Sequence, residues 1–396
     1  MAGSPAARSG WRRGWCRRER RGWCRRERRG GARVTAVHYL DANATQPLRP
    51  AARDAVLAAF AVTGNPSSVH AAGRAARRVM EDAREVIAGG FGARAQDLIF
   101  TSGGTEADAL AVHALGQGRR LIVSAIEHDA IRSAAAGAAI VPVDRHGVVD
   151  LEALGTLLSD GVPSLVCLML ANNETGVIQP VDQAAALCRQ HGAVLHVDAV
   201  QAAGRMPVRL DRLNAHSLAI SSHKLGGPAG VGALLLAPDA PFAAALIGGG
   251  GQERGRRGGT PTVALVAGFA AAARESATDD LRAVAALRDA AERAAVANGA
   301  VICGDPELRL ANTTCLALPG AAAGIQVIAL DLEKIAVSAG AACSSGKVQT
   351  SHVLKAMGMG ALAGEAIRVS LPWNVTTGDI EAFAAAYERV AARLRK

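Results

Sequence analysis

No run of apolar residues in this chain of 396 residues is long enough to cross a membrane as a helix. Such a span needs about 20 consecutive apolar residues. Half of the residues are hydrophobic, but they are divided into short runs, and aromatic residues make up only 3 % of the chain. We therefore expect a soluble protein with no membrane partner, and a chain of this length can bury a large core.

The sequence also lacks any C-x-x-C pair, although it contains seven cysteines. Closely spaced pairs would indicate a zinc site, and an even set in a secreted chain would indicate a disulfide framework. The number here is odd and no secretory signal is recognisable. We therefore expect free thiols and a cytoplasmic, reducing compartment.

Most of the chain has no excess of basic over acidic residues, although the whole chain has a net charge of +9. Residues 1–33 contain twelve Arg and two Glu, which leaves a net charge of −1 for the rest. A high pI that comes from one tail does not describe the folded part of the chain. We therefore expect no nucleic acid partner for the folded body.

The basic tail, residues 1–33, has no apolar face that a folded element would bury. Residues 14–21 recur identically as residues 22–29, and three of the four Trp lie in this tail. High charge without buriable surface predicts disorder. Three explanations stay open: a wrongly assigned start codon, with the native start near Val34; a basic interaction arm; or a transit peptide.

From Val34 onward, helical patterns alternate with short apolar runs. Apolar residues at helical spacing predict helices over 73–90, 279–299 and 377–395. Short apolar runs bounded by turns predict buried strands, at 98–100, 121–123, 165–170, 193–197, 218–220 and 233–236.

Strands that are apolar on both faces and separated by helices indicate an α/β fold with a mostly parallel central sheet covered on both sides. The alternation changes after the helix at 279–299. We therefore predict a large domain over 46–276. We also predict that residues 277–396 form a smaller α+β C-terminal domain, which includes residues 34–45.

Polar residues stand where several predicted strands end. Asp198 closes one apolar run, and Lys224 follows the next run, 26 residues later. A carboxylate at the end of a buried strand needs a cationic partner, and open α/β sheets bind ligands at such strand ends. This pair suits pyridoxal phosphate, whose aldehyde a lysine binds and whose ring nitrogen a carboxylate accompanies.

Residues 101–108 (Thr-Ser-Gly-Gly-Thr-Glu-Ala-Asp) follow a predicted strand and open a helix. Glycines allow a ligand to approach the backbone closely, and the free N–H groups of a helix start suit a phosphate. Taken alone, Thr105 and Asp108 also fit an ordinary capping box. His128 and Asn172–Gly176 likewise have structural explanations, as a lone histidine and a turn. The convergence of these strand ends on one edge is the stronger signal.

Three further segments contain candidate functional residues. Cys343 lies among Ala, Ser and Gly residues, as an exposed reactive thiol does, although most lone cysteines are buried and inert. Arg368 stands inside an apolar strand and indicates pairing with a carboxylate, either of the protein or of a substrate. Residues 248–260 read as a flexible linker, as an Arg/Gly RNA-binding segment, or as a loop that brings Thr260 and an arginine to a phosphate.

In their order, these segments resemble cysteine desulfurases of the NifS/IscS type, in the aminotransferase class V group of fold-type I pyridoxal-phosphate enzymes. The resemblance runs from Tyr39 to the C-terminus. It rests on residues 40–45, 64–70, 101–108, 127–128, 172–174, 196–201, 221–224, 253–254, 259–260, 341–347 and 368. One departure is Pro372, where a Gly is usual.

The resemblance implies a role for each candidate residue. Lys224 holds the cofactor and moves the Cα proton, and His128 stacks on the ring as an acid and base. The other implied ligands are Asp198 at the ring nitrogen, Gln201 at the ring hydroxyl, Asn173 beside the cofactor and substrate, Gly104, Thr105, Ser221 and His223 at the phosphate, Thr260 of the partner subunit at the same phosphate, and Arg368 at the substrate carboxylate.

The implied reaction converts L-cysteine to L-alanine and leaves the sulfur as a persulfide on Cys343. A homodimer would pass this sulfur to an acceptor or iron–sulfur scaffold protein. No metal site is implied, apart from Cys343 as a transient ligand of a cluster. The alternatives are a selenocysteine lyase or other class V enzyme, and a non-catalytic nucleic-acid-binding protein that uses the tail and residues 254–259.

Overall fold

The structure, a computed structural model, describes residues 37–342 and 348–395. The predictions for residues 1–33 and for Cys343 therefore lie outside the described residues. In the described ranges, no helix combines the length and the apolar character that a bilayer crossing requires.

The strands follow one another along the chain with helices between most of them. In chain order they are β1 (His38–Tyr39), β2 (Leu98–Thr101), β3 (Arg120–Ser124), β4 (Ala139–Val141), β5 (Ser164–Met169), β6 (Val194–Asp198), β7 (Ser217–Ser221), β8 (Gly232–Leu236), β9 (Val301–Ile302), β10 (Thr313–Ala317), β11 (Ile335–Ala336), β12 (Ser338–Ala339), β13 (Ala341–Ala342), β14 (Val348–Gln349) and β15 (Ala366–Ser370).

The α-helices are α1 (Pro50–Phe60), α2 (Ala71–Gly90), α3 (Gly104–Leu115), α4 (Asp129–Ala134), α5 (Leu151–Leu158), α6 (Val181–Gln190), α7 (Leu210–Leu213), α8 (Val263–Ser276), α9 (Leu281–Ala297), α10 (Ala323–Leu332), α11 (His352–Ala356) and α12 (Thr377–Leu394). Short 3-10 turns lie at Ala95–Asp97, Ser222–Lys224, Gln252–Gly255 and Gly360–Gly364. The three predicted helices are confirmed as α2, α9 and α12.

The central sheet has the strand order β2-β8-β7-β6-β5-β3-β4. Strands β3 to β7 all run parallel to one another, whereas β8 is antiparallel to both β2 and β7. Every residue of β2 and of β5 to β8 is buried, which explains why these strands are apolar on both faces. The predicted α/β fold with a mostly parallel sheet is confirmed.

A second, antiparallel sheet has the order β12-β15-β10-β9. A separate apolar cluster packs beside it, with Phe383 and Tyr387 of α12 among its largest side chains. The N-terminal strand β1 pairs with β11, and Leu40 belongs to the same cluster. The division into domains at residue 276 stays a prediction. Strand β15 ends at Ser370, so Pro372 lies beyond its hydrogen-bonded ladder.

Candidate cofactor site

The C-terminal ends of β3, β5, β6 and β7 meet at one edge of the central sheet and enclose a cavity of about 240 Å³. We call it the strand-end cavity. Nine predicted site residues line it, together with Asp108, Met169 and Val200: Gly104, Thr105, His128, Asn173, Asp198, Gln201, Ser221, His223 and Lys224. A larger, open cleft of about 740 Å³ lies at the other edge, near Val194, His216 and Leu236, and contains none of the predicted residues.

Lys224 follows β7 in a short 3-10 turn and points back into the strand-end cavity. Its Nζ donates a hydrogen bond to the carbonyl of Ala44 at 3.0 Å and another to that of Asn43. Burial, followed by the positive charges of Arg205 and Arg368, lowers the pKa of Lys224 to about 7. Because the unprotonated amine is the nucleophile, Lys224 is able to bind an aldehyde at neutral pH.

Asp198 is the last residue of β6 and is buried. Its Oδ1 accepts a hydrogen bond from the N–H of Val200 at 2.8 Å. Burial raises the pKa of Asp198, while the charges of His128 and Lys224 oppose this rise. A cationic ring nitrogen beside Asp198 would offset the same desolvation cost, so the carboxylate fits pyridoxal phosphate.

Helix α3 begins at Gly104, shortly after β2, and no side chain among the described residues caps its N-terminus. The capping-box alternative for Thr105 and Asp108 is wrong. Thr105 lies inside the first turn, and Asp108 is buried with its Oδ1 3.2 Å from Nε2 of His196. The first N–H groups of α3 thus lack a side-chain acceptor and suit an anion.

The surroundings of the α3 N-terminus also fit a phosphate. The Oγ of Ser221 is buried and has no hydrogen-bond partner within the described residues. A Cβ on Gly104 would lie 2.6 Å from Cγ2 of Val200, so only glycine allows this close approach. A buried hydroxyl of this kind needs an acceptor or donor from a ligand.

Two histidines line the strand-end cavity. His128 forms the N-cap of α4, where its Nδ1 accepts a hydrogen bond from the N–H of Ala130 at 3.1 Å. The ring proton of neutral His128 is therefore on Nε2. His223 lies with Nδ1 3.2 Å from the Oγ1 of Thr45, and burial, then Lys224 and Arg205, lowers its pKa to about 4. His223 is therefore neutral at physiological pH.

Arg368 lies in β15, and its guanidinium binds the Oδ1 of Asp41 at 2.6 Å and the carbonyl of Asn173 at 3.1 Å. The expected pairing with a carboxylate is confirmed for a protein carboxylate, that of Asp41. The Nε of Arg368 is buried without a partner within residues 37–342 and 348–395. Its binding of a substrate carboxylate stays a prediction.

Thr260 is exposed and does not line the strand-end cavity of its own subunit. Two ion pairs hold the loop before it: the buried Glu253 accepts hydrogen bonds from Arg84 at 2.7 and 2.8 Å, and the half-buried Arg257 binds Glu106 at 2.7 Å. Since these ion pairs fix the segment to α2 and α3, it is not a free linker. The contact of Thr260 with the phosphate of a partner subunit stays a prediction.

Sequence reasoning missed Arg205 and the Asp108–His196 pair. Arg205 is buried and contacts both Gln201 and Lys224. His196 is fully buried, and burial lowers its pKa to about 3, so it is neutral beside Asp108. A single arginine or histidine in a sequence gives no signal of such contacts, because the carbonyl of Ala42 that Arg205 binds and the Asp108 beside His196 come from distant segments.

The fold and the strand-end cavity define the class of protein, an α/β enzyme that uses pyridoxal phosphate at the carboxyl ends of its strands. Comparison with known proteins agrees: residues 38–383 match the aminotransferase class-V family.

Similar proteins cover nearly the whole chain. A cysteine desulfurase of Cereibacter sphaeroides is 41 % identical over 360 residues, which are 87 % of this chain and 92 % of that protein. An IscS-like cysteine desulfurase of Mycobacterium tuberculosis is 37 % identical over 90 % of this chain and 97 % of its own. The structure of a NifS-like protein from Rickettsia africae superimposes with a TM-score of 0.83 at 34 % identity, over 89 % of this chain and 99 % of that one.

The chain therefore belongs to the aminotransferase class-V family, within which it is a member of the cysteine desulfurase family. This membership confirms the predicted cofactor, pyridoxal phosphate, and the prediction of an enzyme. It disagrees with the alternative of a non-catalytic nucleic-acid-binding protein.

Proposed function

We propose that this protein is a cysteine desulfurase that removes sulfur from L-cysteine, releases L-alanine and leaves a persulfide on Cys343. One observation carries the proposal: Lys224, with its lowered pKa, and the buried Asp198 face the same strand-end cavity. The similarity to cysteine desulfurases over most of the chain supports the same reaction.

The residues that hold the cofactor follow from the cavity walls. Of the residues that line the cavity, Lys224 would bind its aldehyde, Asp198 would accompany its ring nitrogen, and Gln201 and Asn173 would contact its ring. The phosphate set is Gly104, Thr105, Ser221 and His223, with Thr260 added by a partner subunit. The bound cofactor supplies an electron sink for the Cα of the substrate.

Arg368 and Asn173 bind the substrate carboxylate, and a substrate anion would meet a guanidinium whose Nε has no protein partner within the described ranges. Lys224 then takes the Cα proton, because its amine is largely free of its proton above pH 7. His128 exchanges a proton at Nε2, the ring nitrogen that is not bound to Ala130.

The sulfur step belongs to Cys343. Its thiolate attacks the substrate sulfur, a new S–S bond forms, and the Cβ–S bond breaks. The electron pair of the broken bond stays on Cβ, which is protonated and becomes the methyl group of alanine. A persulfide remains on Cys343, and an acceptor such as an iron–sulfur scaffold protein takes up its sulfur.

A homodimer is part of the proposal, and it is supported by Thr260, which is exposed in its own subunit and lies away from its own strand-end cavity. A cytoplasmic location is part of the proposal. The buried thiols of Cys167, Cys188, Cys303 and Cys315 are free, which supports a reducing compartment.

The test is the release of alanine from L-cysteine in the presence of a reductant, compared between the protein and Cys343→Ala. We expect a loss of at least about a hundredfold in kcat for the variant, since the covalent sulfur acceptor is removed. Cys188→Ala is the matched control, because burial raises the pKa of Cys188 to about 12 and its thiol is not reactive.

Equal alanine from the protein and Cys343→Ala would contradict a persulfide on Cys343 and favour a lyase that releases sulfur or selenium directly. Bound yellow cofactor without alanine from L-cysteine in the unaltered protein would contradict the proposed substrate. Mass spectrometry of the trapped Cys343 persulfide, which adds one sulfur atom, provides an independent measurement of the same step.

A further inference from the structure

Arg205 is a buried cation without a carboxylate partner in the described part of the chain. Only 4 % of its surface is exposed. Its guanidinium donates instead to oxygens of uncharged groups: the backbone carbonyl of Gln201 at 2.9 Å, the side-chain Oε1 of Gln201, and the carbonyls of Ala42 at 3.1 Å and Lys224 at 3.4 Å. An uncompensated buried charge is costly, so these contacts need an explanation beyond stability.

The contact with Gln201 fixes the orientation of an amide that lines the strand-end cavity. A guanidinium only donates hydrogen bonds, so the end of the Gln201 amide that faces Arg205 must be Oε1. The Nε2 end donates to the carbonyl of Asn43 at 3.0 Å and keeps a second N–H. Gln201 therefore keeps a free N–H donor at Nε2 for a ligand in the cavity.

The same guanidinium also links Lys224 to the N-terminal segment. Arg205 binds the carbonyls of Ala42 and Lys224, and the Nζ of Lys224 binds those of Asn43 and Ala44. A lysine and an arginine thus share one segment, residues 42–44, of which Ala42 and Asn43 are buried. After burial, the positive charge of Arg205 is the largest cause of the lowered pKa of Lys224.

We propose that Arg205 is a positioning residue of the cofactor site. It orients Gln201 as a hydrogen-bond donor to the oxygen of the ring hydroxyl of pyridoxal phosphate. It also favours the uncharged amine of Lys224. This inference rests on the cofactor and the ring contact of the proposed function, but not on the sulfur step at Cys343. Arg205 itself does not touch the reacting atoms.

The test uses Arg205→Met and Arg205→Lys in the full chain, with two measurements besides activity. The first is the pH midpoint of the absorbance change of the bound cofactor. Loss of a nearby positive charge in Arg205→Met makes protonation at the Lys224 nitrogen easier, so we expect the midpoint to rise by about one unit. Arg205→Lys keeps the positive charge but not the planar fork of the guanidinium. Its midpoint should therefore stay within about 0.3 pH unit of that of the parent, which is well below the shift of about one unit expected when the charge is lost.

The second measurement is the Kd of pyridoxal phosphate in a double-mutant cycle with Gln201→Ala. If Arg205 acts through Gln201, Arg205→Lys weakens binding by about fivefold or more in the parent. Arg205→Lys should then have almost no effect on this Kd when Gln201 is already alanine. Arg209→Met, which removes an exposed arginine paired with Asp211, is the control and should change neither quantity.

Several results would overturn the inference. These are an unchanged midpoint in a folded Arg205→Met protein, or losses in the Arg205→Lys and Gln201→Ala cycle that simply add. If Arg205→Met does not fold, as melting curves would reveal, the cycle with Arg205→Lys decides alone. None of these measurements depends on alanine release, so a failure of the proposed reaction is distinguishable from a failure of this inference.

Discussion

At the residue scale, burial decides the protonation of the groups around the strand-end cavity more than their chemical type does. Lys224 and His223 are neighbours in the sequence, and desolvation is the largest cause of the lowered pKa of each. Asp198 responds to the same burial in the opposite direction, because its charged form is the anion. The site thus holds an amine that loses its proton near neutral pH and a carboxylate that needs a cation.

This arrangement predicts the pH dependence of cofactor binding. Since only the unprotonated amine binds the aldehyde, the rate at which cofactor-free protein binds pyridoxal phosphate should rise between about pH 6 and pH 8 and then level off. The expected midpoint is the pKa of Lys224, about 7. Stopped-flow absorbance after mixing at different pH values measures it.

Lys224→Ala is the control for this pH experiment, and borohydride should then attach no cofactor to the chain. A midpoint near 10, where an ordinary lysine titrates, would contradict the lowered pKa. The direction of this pKa shift also affects how stability changes with pH. Because the folded state holds the proton of Lys224 less tightly than the unfolded state, this residue lowers the free energy of unfolding at pH 7 and below, and the cost falls as pH rises from about 7 towards the ordinary lysine pKa of about 10.

At the scale of elements, the turn from β2 into α3 decides where a phosphate can bind. Gly103 and Gly104 are adjacent but have different surroundings. A Cβ on Gly104 would meet Cγ2 of Val200 at 2.6 Å, whereas a Cβ on Gly103 would have no atom within 4 Å. Gly103 has φ 161°, an extended conformation that any residue adopts.

These two glycines form a matched pair of substitutions. Gly104→Ala should push the start of α3 away from Val200 and raise the Kd for pyridoxal phosphate by at least about tenfold, equivalent to about 1.4 kcal/mol. Gly103→Ala should change that Kd by less than about twofold, well under the tenfold that 1.4 kcal/mol gives. Fluorescence titration of the cofactor-free variants measures both, and similar losses in the two would contradict the steric argument.

At the scale of the whole molecule, the loop that carries Thr260 would contact both subunits of the proposed dimer. A buried ion pair of Glu253 with Arg84 and a half-buried ion pair of Arg257 with Glu106 hold this loop against its own subunit. Glu106 directly follows Thr105, so the segment that would reach a partner's phosphate is fixed beside the proposed phosphate-binding turn of its own chain.

If each site takes residues from both subunits, two inactive variants should complement each other in a heterodimer. Lys224→Ala and Thr260→Ala should each impair the homodimer. A heterodimer of the two would contain one site with both changes and one site with neither, so it should recover about half of the parent activity. Co-expression with two different tags, followed by sequential affinity purification, gives this heterodimer for the alanine assay.

If each site is complete within one subunit, the heterodimer will instead have the average activity of the two variant homodimers, which would contradict the role of Thr260. Light scattering on the purified protein provides a simpler check, since the proposal requires a particle of twice the chain mass. A monomer with full activity would contradict it as well.

Much of the fold was predictable because local patterns dominate it. The helical spacing of apolar residues identified α2, α9 and α12, and the apolar runs identified the buried strands of the central sheet. The boundaries differ by no more than two residues for these helices. The capping-box reading of Thr105 failed because the side chain of Asp108 turns to His196, a residue 88 positions away.

The sequence alone determined which chemistry is available: a lysine, an acid and a phosphate-binding turn, each placed at the end of an apolar run. This is possible because parallel strands bring their carboxyl ends to one edge. Only the tertiary structure decided which partners these groups have. Arg205 meets Ala42 across 163 residues and Arg368 meets Asp41 across 327. Such contacts depend on how β1 and the two sheets pack, and no local pattern encodes them.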